Sequence, residues 1–220
     1  MSSEQGVVGS NPSGCTIIMK NSTIKYIQEG TYFDDEIVID ISVIPGNSDI
    51  VFLIIPGVDG SLDGYQDKYK TIAENINEKY QATVVRMSNP SNPMGYHYRN
   101  LFEVLDYIEK NIGIQNKKMY VMGHSLGAYM IGATAHLYDY IDKILLINPA
   151  TGLDQNELSN LSERDKNQNI ILVGDHDPSY KNYDEYSKYA KVYVVKGADH
   201  HFSGDSFTAF LNSAEKYLFK

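Results

Sequence analysis

The chain has 220 residues, which suits one α/β domain but leaves little room for two independent hydrophobic cores. Its 42% hydrophobic and 21% charged residues argue against a wholly disordered chain. The net charge of −9 disfavours nucleic acid as a partner, and the single cysteine, Cys15, excludes an intramolecular disulfide.

The N-terminal segment, MSSEQGVVGSNPSGC, is polar and rich in glycine, serine and asparagine. It lacks the basic start and apolar run of a signal peptide, and no apolar stretch of the chain approaches the roughly 20 residues that span a bilayer. We therefore expect a flexible leader over residues 1–14, a single domain over residues 15–220, no membrane span and a cytoplasmic location.

The rest of the chain alternates between strand and helix patterns. Two runs of β-branched and aromatic residues, at 16–27 and 36–43, predict an antiparallel pair of strands. The continuous apolar run Ile50–Ile55 is typical of a strand buried on both faces, and similar runs follow at 82–85, 118–122, 144–147, 170–173 and 192–195. Helical patterns occur at 65–79, 98–111, 125–137, 183–190 and 203–219. This alternation predicts an α/β fold with a mostly parallel central sheet and helices on both faces.

The segment GHSLG at 123–127 lies between the predicted strand 118–122 and a helical pattern. Glycines two residues before and after a serine permit a sharp strand-to-helix turn in which larger side chains would collide. The turn places Ser125 at a helix N-terminus, where free N–H groups favour a developing negative charge. The pattern arises by chance in roughly one chain in ten of this length. Taken alone, Ser125 could equally be a helix cap.

A serine hydroxyl becomes a nucleophile when a base removes its proton and a carboxylate orients that base. Asp177, in GDHDP at 174–178, and His200, in GADHHF at 197–202, each follow a predicted strand. Both therefore lie at the carboxyl edge of the predicted sheet, where ligands bind in such folds. We assign Asp177 as the acid and His200 as the base, with Asp175 and His201 as their alternatives.

Asp177 also precedes a proline and would be a good helix cap, a role compatible with that of the acid. The remaining histidines have weaker claims on catalysis. His176 is expected to be solvated or to cap a helix, and His97 and His136 to lie on the surface or pack against helices.

Acyl transfer by a serine also needs hydrogen-bond donors for the oxyanion. The N–H of Leu126, directly after the serine, is the first candidate. We expect the second to be the N–H of Val58, in the glycine-containing loop 56–61 that follows the strand Ile50–Ile55.

Together, Pro-Gly after the third strand, GHSLG after the fifth, GDHDP after the seventh and GADHHF after the eighth resemble the α/β-hydrolase superfamily over roughly residues 50–220. The resemblance implies that Ser125 is the nucleophile, Asp177 the acid and His200 the base. It also implies that Val58 and Leu126 supply the oxyanion donors.

Two features depart from that family. Pro56 stands where many members have histidine, so the oxyanion loop is expected to be set differently. Residues 150–169 allow no more than a short helix where many members carry a lid domain. We therefore expect an open site, of the kind found in a small lidless esterase, with the segment 88–98 as one of its walls.

These patterns predict a serine hydrolase that cleaves a carboxylic ester or thioester through an acyl-enzyme, without a cofactor. The expected partner is a small ester or an acylated molecule. One alternative is a metal-assisted hydrolase with ligands among Asp175, His176, Asp177, Asp199, His200 and His201, although no pair has the spacing of H-E-x-x-H. Another is a non-catalytic binding module on the same fold.

Overall fold

The computed structural model describes residues 5–10, 16–28, 35–92, 97–150 and 152–220. The strands in them are β1 (Gln5–Ser10), β2 (Thr16–Gln28), β3 (Asp35–Ile44), β4 (Ile50–Ile55), β5 (Thr83–Met87), β6 (Lys118–His124), β7 (Ile141–Ile147), β8 (Asn169–Gly174) and β9 (Lys191–Val195). The α-helices are α1 (Lys68–Tyr80), α2 (Tyr98–Asn111), α3 (Leu126–Thr134), α4 (Gln155–Ser162), α5 (Tyr183–Tyr189) and α6 (Phe207–Leu211).

The strands form one sheet in the order β1-β2-β3-β5-β4-β6-β7-β8-β9. The six strands from β5 to β9 along this order pair in parallel, whereas β1, β2 and β3 are antiparallel to their neighbours. The predicted α/β fold with a mostly parallel sheet is therefore confirmed. The predicted antiparallel pair near the N-terminus corresponds to β2 and β3.

Helices cover both faces of the sheet, as predicted. Side chains alternate between the faces along β4: Val51, Leu53 and Ile55 belong to the core that packs against α2, α3, α4 and α5. Phe52 and Ile54 belong to the core on the other face, which packs against α1 and α6. Because both faces are buried, the strand reads as a continuous apolar run.

Two predicted boundaries are wrong for identifiable reasons. The strand predicted at 82–85 extends to Met87 because Arg86, which ended the apolar run, is buried and hydrogen-bonds to Ser42 and to the Leu62 carbonyl. The single helix predicted at 203–219 is divided into a 3₁₀ turn, α6 and a π-type turn at Glu215–Phe219. The other boundaries agree within a few residues.

The sequence predicted a flexible leader over residues 1–14. Within it, Gln5–Ser10 form the edge strand β1, which pairs with β2 through main-chain hydrogen bonds. Such pairing needs no pattern of apolar side chains, so the sequence offered no sign of it. Residues 1–4 and 11–15, which include Cys15, lie outside the described residues.

The connection from β7 to β8 contains α4, a helix of eight residues, as its length predicted. None of the helices in the described part of the chain combines the length and apolar character that a bilayer span requires.

The order of strands determines where a site can form. From β4 the chain passes through α1 to β5 on one side, and then through α2 to β6 on the other side of β4. At such a reversal the loops after neighbouring strands diverge and leave a crevice at the carboxyl edge. The loops after β4 and β6 meet there, since a Cβ added to Gly57 would lie 3.1 Å from Ser125 Cβ.

Candidate active site

Ser125 lies on a strained turn between β6 and α3. Its φ of 55° and ψ of −117° fall outside the regions that side chains prefer, at a cost of about 1–3 kcal/mol. A Cβ on Gly123 would lie 2.5 Å from the Gly127 carbonyl, and a Cβ on Gly127 would lie 2.5 Å from the Ile55 oxygen. Both glycines of GHSLG are therefore required by the packing of this turn.

The Ser125 hydroxyl does not cap the helix that follows it, so the interpretation of Ser125 as a helix cap is wrong. Its Oγ lies 2.9 Å from Nε2 of His200. The main chain of Ser125 is held from both sides: its N–H donates to the Ile147 carbonyl at 2.9 Å, and its carbonyl accepts from the Tyr129 N–H at 3.1 Å. The side chain is thus free to hydrogen-bond to the imidazole.

His200 lies between Ser125 and Asp177. Its Nδ1 is 2.5 Å from Asp177 Oδ2, and because a carboxylate can only accept, Nδ1 carries a proton. In the neutral ring Nε2 is then the acceptor, and the Ser125 hydroxyl donates to it. The three residues predicted from separate segments therefore form one chain of hydrogen bonds.

Asp177 uses its two oxygens for two purposes. Oδ2 accepts from His200, while Oδ1 accepts from the N–H of Ser179 at 2.7 Å and from its hydroxyl, which caps the turn Pro178–Asn182. The capping role expected for Asp177 is thus observed, and the same carboxylate also hydrogen-bonds to His200. Burial raises the pKa of this carboxyl, but the hydrogen bonds from His200 and Ser179 outweigh burial, so the pKa lies below its usual value.

The alternatives to Asp177 and His200, which are Asp175 and His201, do not take part in this chain of hydrogen bonds. Asp175 accepts the Gly197 N–H at 2.6 Å and makes no hydrogen bond to His200. His201 is exposed, and its ring packs edge-on against His200 with centroids 5.3 Å apart. His97, His136 and His176 form no hydrogen bond with Ser125 or Asp177 in the described part of the chain.

The Asp/His clusters do not assemble as a metal site. Across residues 5–10, 16–28, 35–92, 97–150 and 152–220, no three His, Cys, Asp or Glu side chains are grouped as metal ligands. Both ring nitrogens of His200 are already hydrogen-bonded. The arrangement favours proton transfer over metal ligation.

His124, the residue before Ser125, hydrogen-bonds to the main chain of His200. It is fully buried, with Nε2 2.9 Å from the His200 carbonyl and Nδ1 3.0 Å from the Tyr69 hydroxyl. Nε2 must donate to the carbonyl, so Nδ1 accepts from Tyr69. Burial and nearby Lys68 lower the pKa of His124 to about 3, so its ring is neutral.

Asn148, which directly follows β7, hydrogen-bonds to the segments that contain Asp177 and His200. Its Nδ2 donates to the carbonyls of Asp199, at 3.0 Å, and His200, at 3.1 Å. Its Oδ1 accepts from the N–H of Gly174, at 2.9 Å, three residues before Asp177. Neither Asn148 nor His124 was predicted from the sequence. The available signal was that both are polar residues at the carboxyl end of a predicted apolar strand.

A cavity of about 430 Å³ opens beside Ser125. It is formed by the loop 57–65, the start of α1, and the segments that contain Ser125 and His200. The main-chain N–H groups of Val58 and Leu126 form no hydrogen bond with the described residues, so both are available to a ligand. Their assignment as oxyanion donors stays a prediction.

The segment 88–98 does not line this cavity with any of its described residues, and 93–96 lie outside them. Instead, Asn89 and Ser91 brace the loop after β4. The Asn89 side chain donates to the Pro56 carbonyl at 3.1 Å, and the Ser91 N–H donates to the Asp59 carboxylate at 2.8 Å. The expectation that the segment 88–98 forms a wall of the cavity is therefore wrong for its described residues. Asn89 and Ser91 instead support the loop that contains Val58.

Comparisons with known proteins bear on the fold. No protein-family model and no curated protein sequence matches the chain. Solved structures do match: dienelactone hydrolase from Anabaena variabilis has a TM-score of 0.67 at 14% identity, over 90% of this chain and 97% of that one. The chain has the α/β-hydrolase fold. Est1E from Butyrivibrio proteoclasticus is similar, with a TM-score of 0.64 at 15% identity over 90% of this chain and 99% of that one.

XC6422 from Xanthomonas campestris, described as an α/β serine hydrolase without a lid, has a TM-score of 0.59 at 13% identity over 98% of this chain and 94% of that one. These identities show the α/β-hydrolase fold alone. In that fold the nucleophile, acid and base follow each other along the chain, which is the order of Ser125, Asp177 and His200.

Proposed function

We propose that this protein is a serine hydrolase that cleaves a carboxylic ester or thioester of a small or acylated substrate. The observation that carries the proposal is the continuous path of hydrogen bonds from Ser125 Oγ through His200 to Asp177, with steps of 2.9 and 2.5 Å. It begins at a hydroxyl on a strained turn that opens into a cavity, as an attacking oxygen requires.

In the first half of the proposed reaction, Ser125 Oγ attacks the carbonyl carbon of the substrate while its proton passes to Nε2 of His200. Asp177 stabilises the imidazolium that forms. When the tetrahedral intermediate collapses, His200 gives the proton to the leaving alcohol or thiol. The acyl group then remains on Ser125.

In the second half, a water molecule replaces the alcohol. His200 takes a proton from the water as its oxygen attacks the acyl carbon, and returns that proton to Ser125 Oγ as the acid leaves. Each half passes through an oxyanion. The N–H groups of Val58 and Leu126 are the proposed donors to it, because neither is hydrogen-bonded to the described residues. Val58 lines the cavity, and Leu126 directly follows Ser125.

A fluorophosphonate probe tests the proposal directly, since it reacts covalently with an activated serine and leaves other serines unlabelled. We expect stoichiometric labelling of the protein and loss of labelling in Ser125→Ala, read by intact mass and peptide mapping. Ser61→Ala is the matched control, because Ser61 lines the same cavity. Equal labelling of Ser125→Ala, or no labelling of the unmodified protein, would contradict the proposal.

A further inference from the structure

Lys68 is a buried cation at the edge of the cavity that contains Ser125. It is the first residue of α1 and only 5% exposed, yet it lines that cavity. It also lines a second cavity of about 320 Å³, together with Tyr65, His201 and Ser203. Lys68 therefore lies where a ligand attached at Ser125 can extend from one cavity into the next.

The ammonium of Lys68 forms no hydrogen bond or ion pair with the residues that the structure describes. Its contacts are with aromatic rings, whose centroids lie 4.3 Å away in Phe210 and 5.1 Å away in Tyr69. Burial lowers the pKa of Lys68 to about 8, against the attraction of Asp199, so the group is mostly charged at neutral pH. A buried cation without an anion is costly unless a ligand supplies the anion.

The position of Lys68 is set by a rigid loop. Gly64, Gln66 and Asp67, just before it, have positive φ values of 70°, 52° and 55°. The Tyr69 N–H donates to the Asp63 carbonyl at 2.9 Å, and the Asp63 side chain pairs with buried Arg86. These contacts define the backbone from which Lys68 extends, and its ammonium packs over the ring of Phe210.

We infer that Lys68 binds a carboxylate on the substrate, so that the hydrolase prefers esters that carry an anionic group beyond the bond to be cleaved. This inference rests on the proposed function. A carboxylate fits better than a phosphate dianion because one ammonium can neutralise only a single negative charge, and the negative charge of nearby Asp199 disfavours a second one.

Two pairs of esters test the inference on the two sides of the cleaved bond. Mono-p-nitrophenyl adipate, compared with its methyl ester, carries the carboxylate on the acyl group. The other compound, 4-acetoxybenzoate, is compared with its methyl ester and carries the carboxylate on the leaving group. The main difference within each pair is the charge, and any difference in intrinsic reactivity cancels when the ratio is compared between variants. We expect the protein to prefer the carboxylate in at least one pair, and Lys68→Met to lower that ratio of kcat/KM by roughly tenfold to a hundredfold, the worth of a charge-assisted hydrogen bond.

Lys70→Met is the matched control, because it removes the same charge two residues further along α1 from a side chain outside both cavities. Its ratio should equal that of the unmodified protein, and Lys68→Arg should retain part of the preference. Hydrolysis of both methyl esters without any carboxylate preference, a comparison that needs no variant, would overturn this inference and leave the proposed function standing. Failure of the unmodified protein to hydrolyse any ester or to accept the fluorophosphonate would overturn both.

Discussion

Ser125 combines a strained backbone with a hydroxyl that is turned away from the helix it precedes. A serine at a helix start ordinarily accepts from the helix N–H groups. Here the close packing of Gly123 and Gly127 holds the turn in a conformation that presents the hydroxyl to His200 instead. The strain thus prevents the competing hydrogen bond and leaves the oxygen available for attack.

The two adjacent histidines should differ sharply in their effect on turnover. His200→Ala removes the proposed base, so we expect kcat for p-nitrophenyl acetate to fall by at least about 10⁴-fold. His201→Ala should cost far less, because its ring has no hydrogen bond to Ser125. Circular dichroism should show both variants folded. The assignment of the base fails if His201→Ala is the inactive variant.

The sequence indicated candidate residues only where a local motif marked them, and gave no sign of residues whose surroundings come from distant segments. Ser125, Asp177 and His200 were predicted because each lies in a glycine-containing segment after an apolar strand. Lys68 could not be predicted, because it occupies an ordinary position in an amphipathic helix. Its burial becomes visible only when α1 packs beside Phe210.

At the scale of elements, β4 and α2 have the boundaries that the sequence predicted. The apolar run of β4 stops directly before Pro56. In α2 the apolar residues recur at helical spacing and form one buried face. The strand ending at Arg86 was predicted too short, because the pattern cannot show that a charged residue has partners on other elements. Hydrophobic patterns therefore predict which residues are buried, but they do not predict the hydrogen-bond partners of a buried charged residue.

The end of β7 is expected to control the position of the base through Asn148. Asn148→Ala removes donors to the His200 carbonyl and an acceptor from the segment of Asp177. We expect kcat to fall about tenfold to a hundredfold with little change in KM, since a small displacement of the imidazole affects proton transfer more than binding. Steady-state kinetics on p-nitrophenyl acetate measures both constants.

Asn169→Ala is the matched control for Asn148→Ala. Asn169 is also fully buried, and its amide donates to the carbonyls of Leu161 and Tyr189. It begins β8, whereas Ser125 follows the carboxyl end of β6. Both variants should lose stability, by about 1–3 kcal/mol for the buried groups left without partners. Equal kcat in the two variants would mean that Asn148 only stabilises the fold.

At the scale of the whole molecule, Glu215 joins the C-terminal segment to α1. Its carboxylate lies 2.7 Å from the Lys79 ammonium and 2.9 Å from that of Lys220. These two contacts lower the pKa of Glu215 from 4.5 to about 2. A folded-state pKa below the unfolded value gives stability that is present above pH 4.5 and lost as the pH falls towards 2.

We therefore expect Glu215→Gln to be less stable than the unmodified protein at pH 6, and the difference to shrink as the pH is lowered through 4.5. Urea unfolding at a series of pH values measures it. Glu163→Gln serves as the control, since Glu163 forms no ion pair with the described residues. A difference for Glu215→Gln that does not vary with pH would rule out the ion pairs as its source.

The carbonyl oxygen of His200 accepts hydrogen bonds from His124, at the end of β6, and from Asn148, after β7. A single atom thus accepts hydrogen bonds from residues at the ends of two neighbouring strands, both of which are far from His200 in the sequence. Substitution of His124 or Asn148 is therefore expected to change the rate through the position of the His200 main chain. Because His124 and Asn148 hydrogen-bond to the same oxygen, their substitutions are coupled. The change in activation free energy of the double variant is therefore expected to differ from the sum of the two single changes.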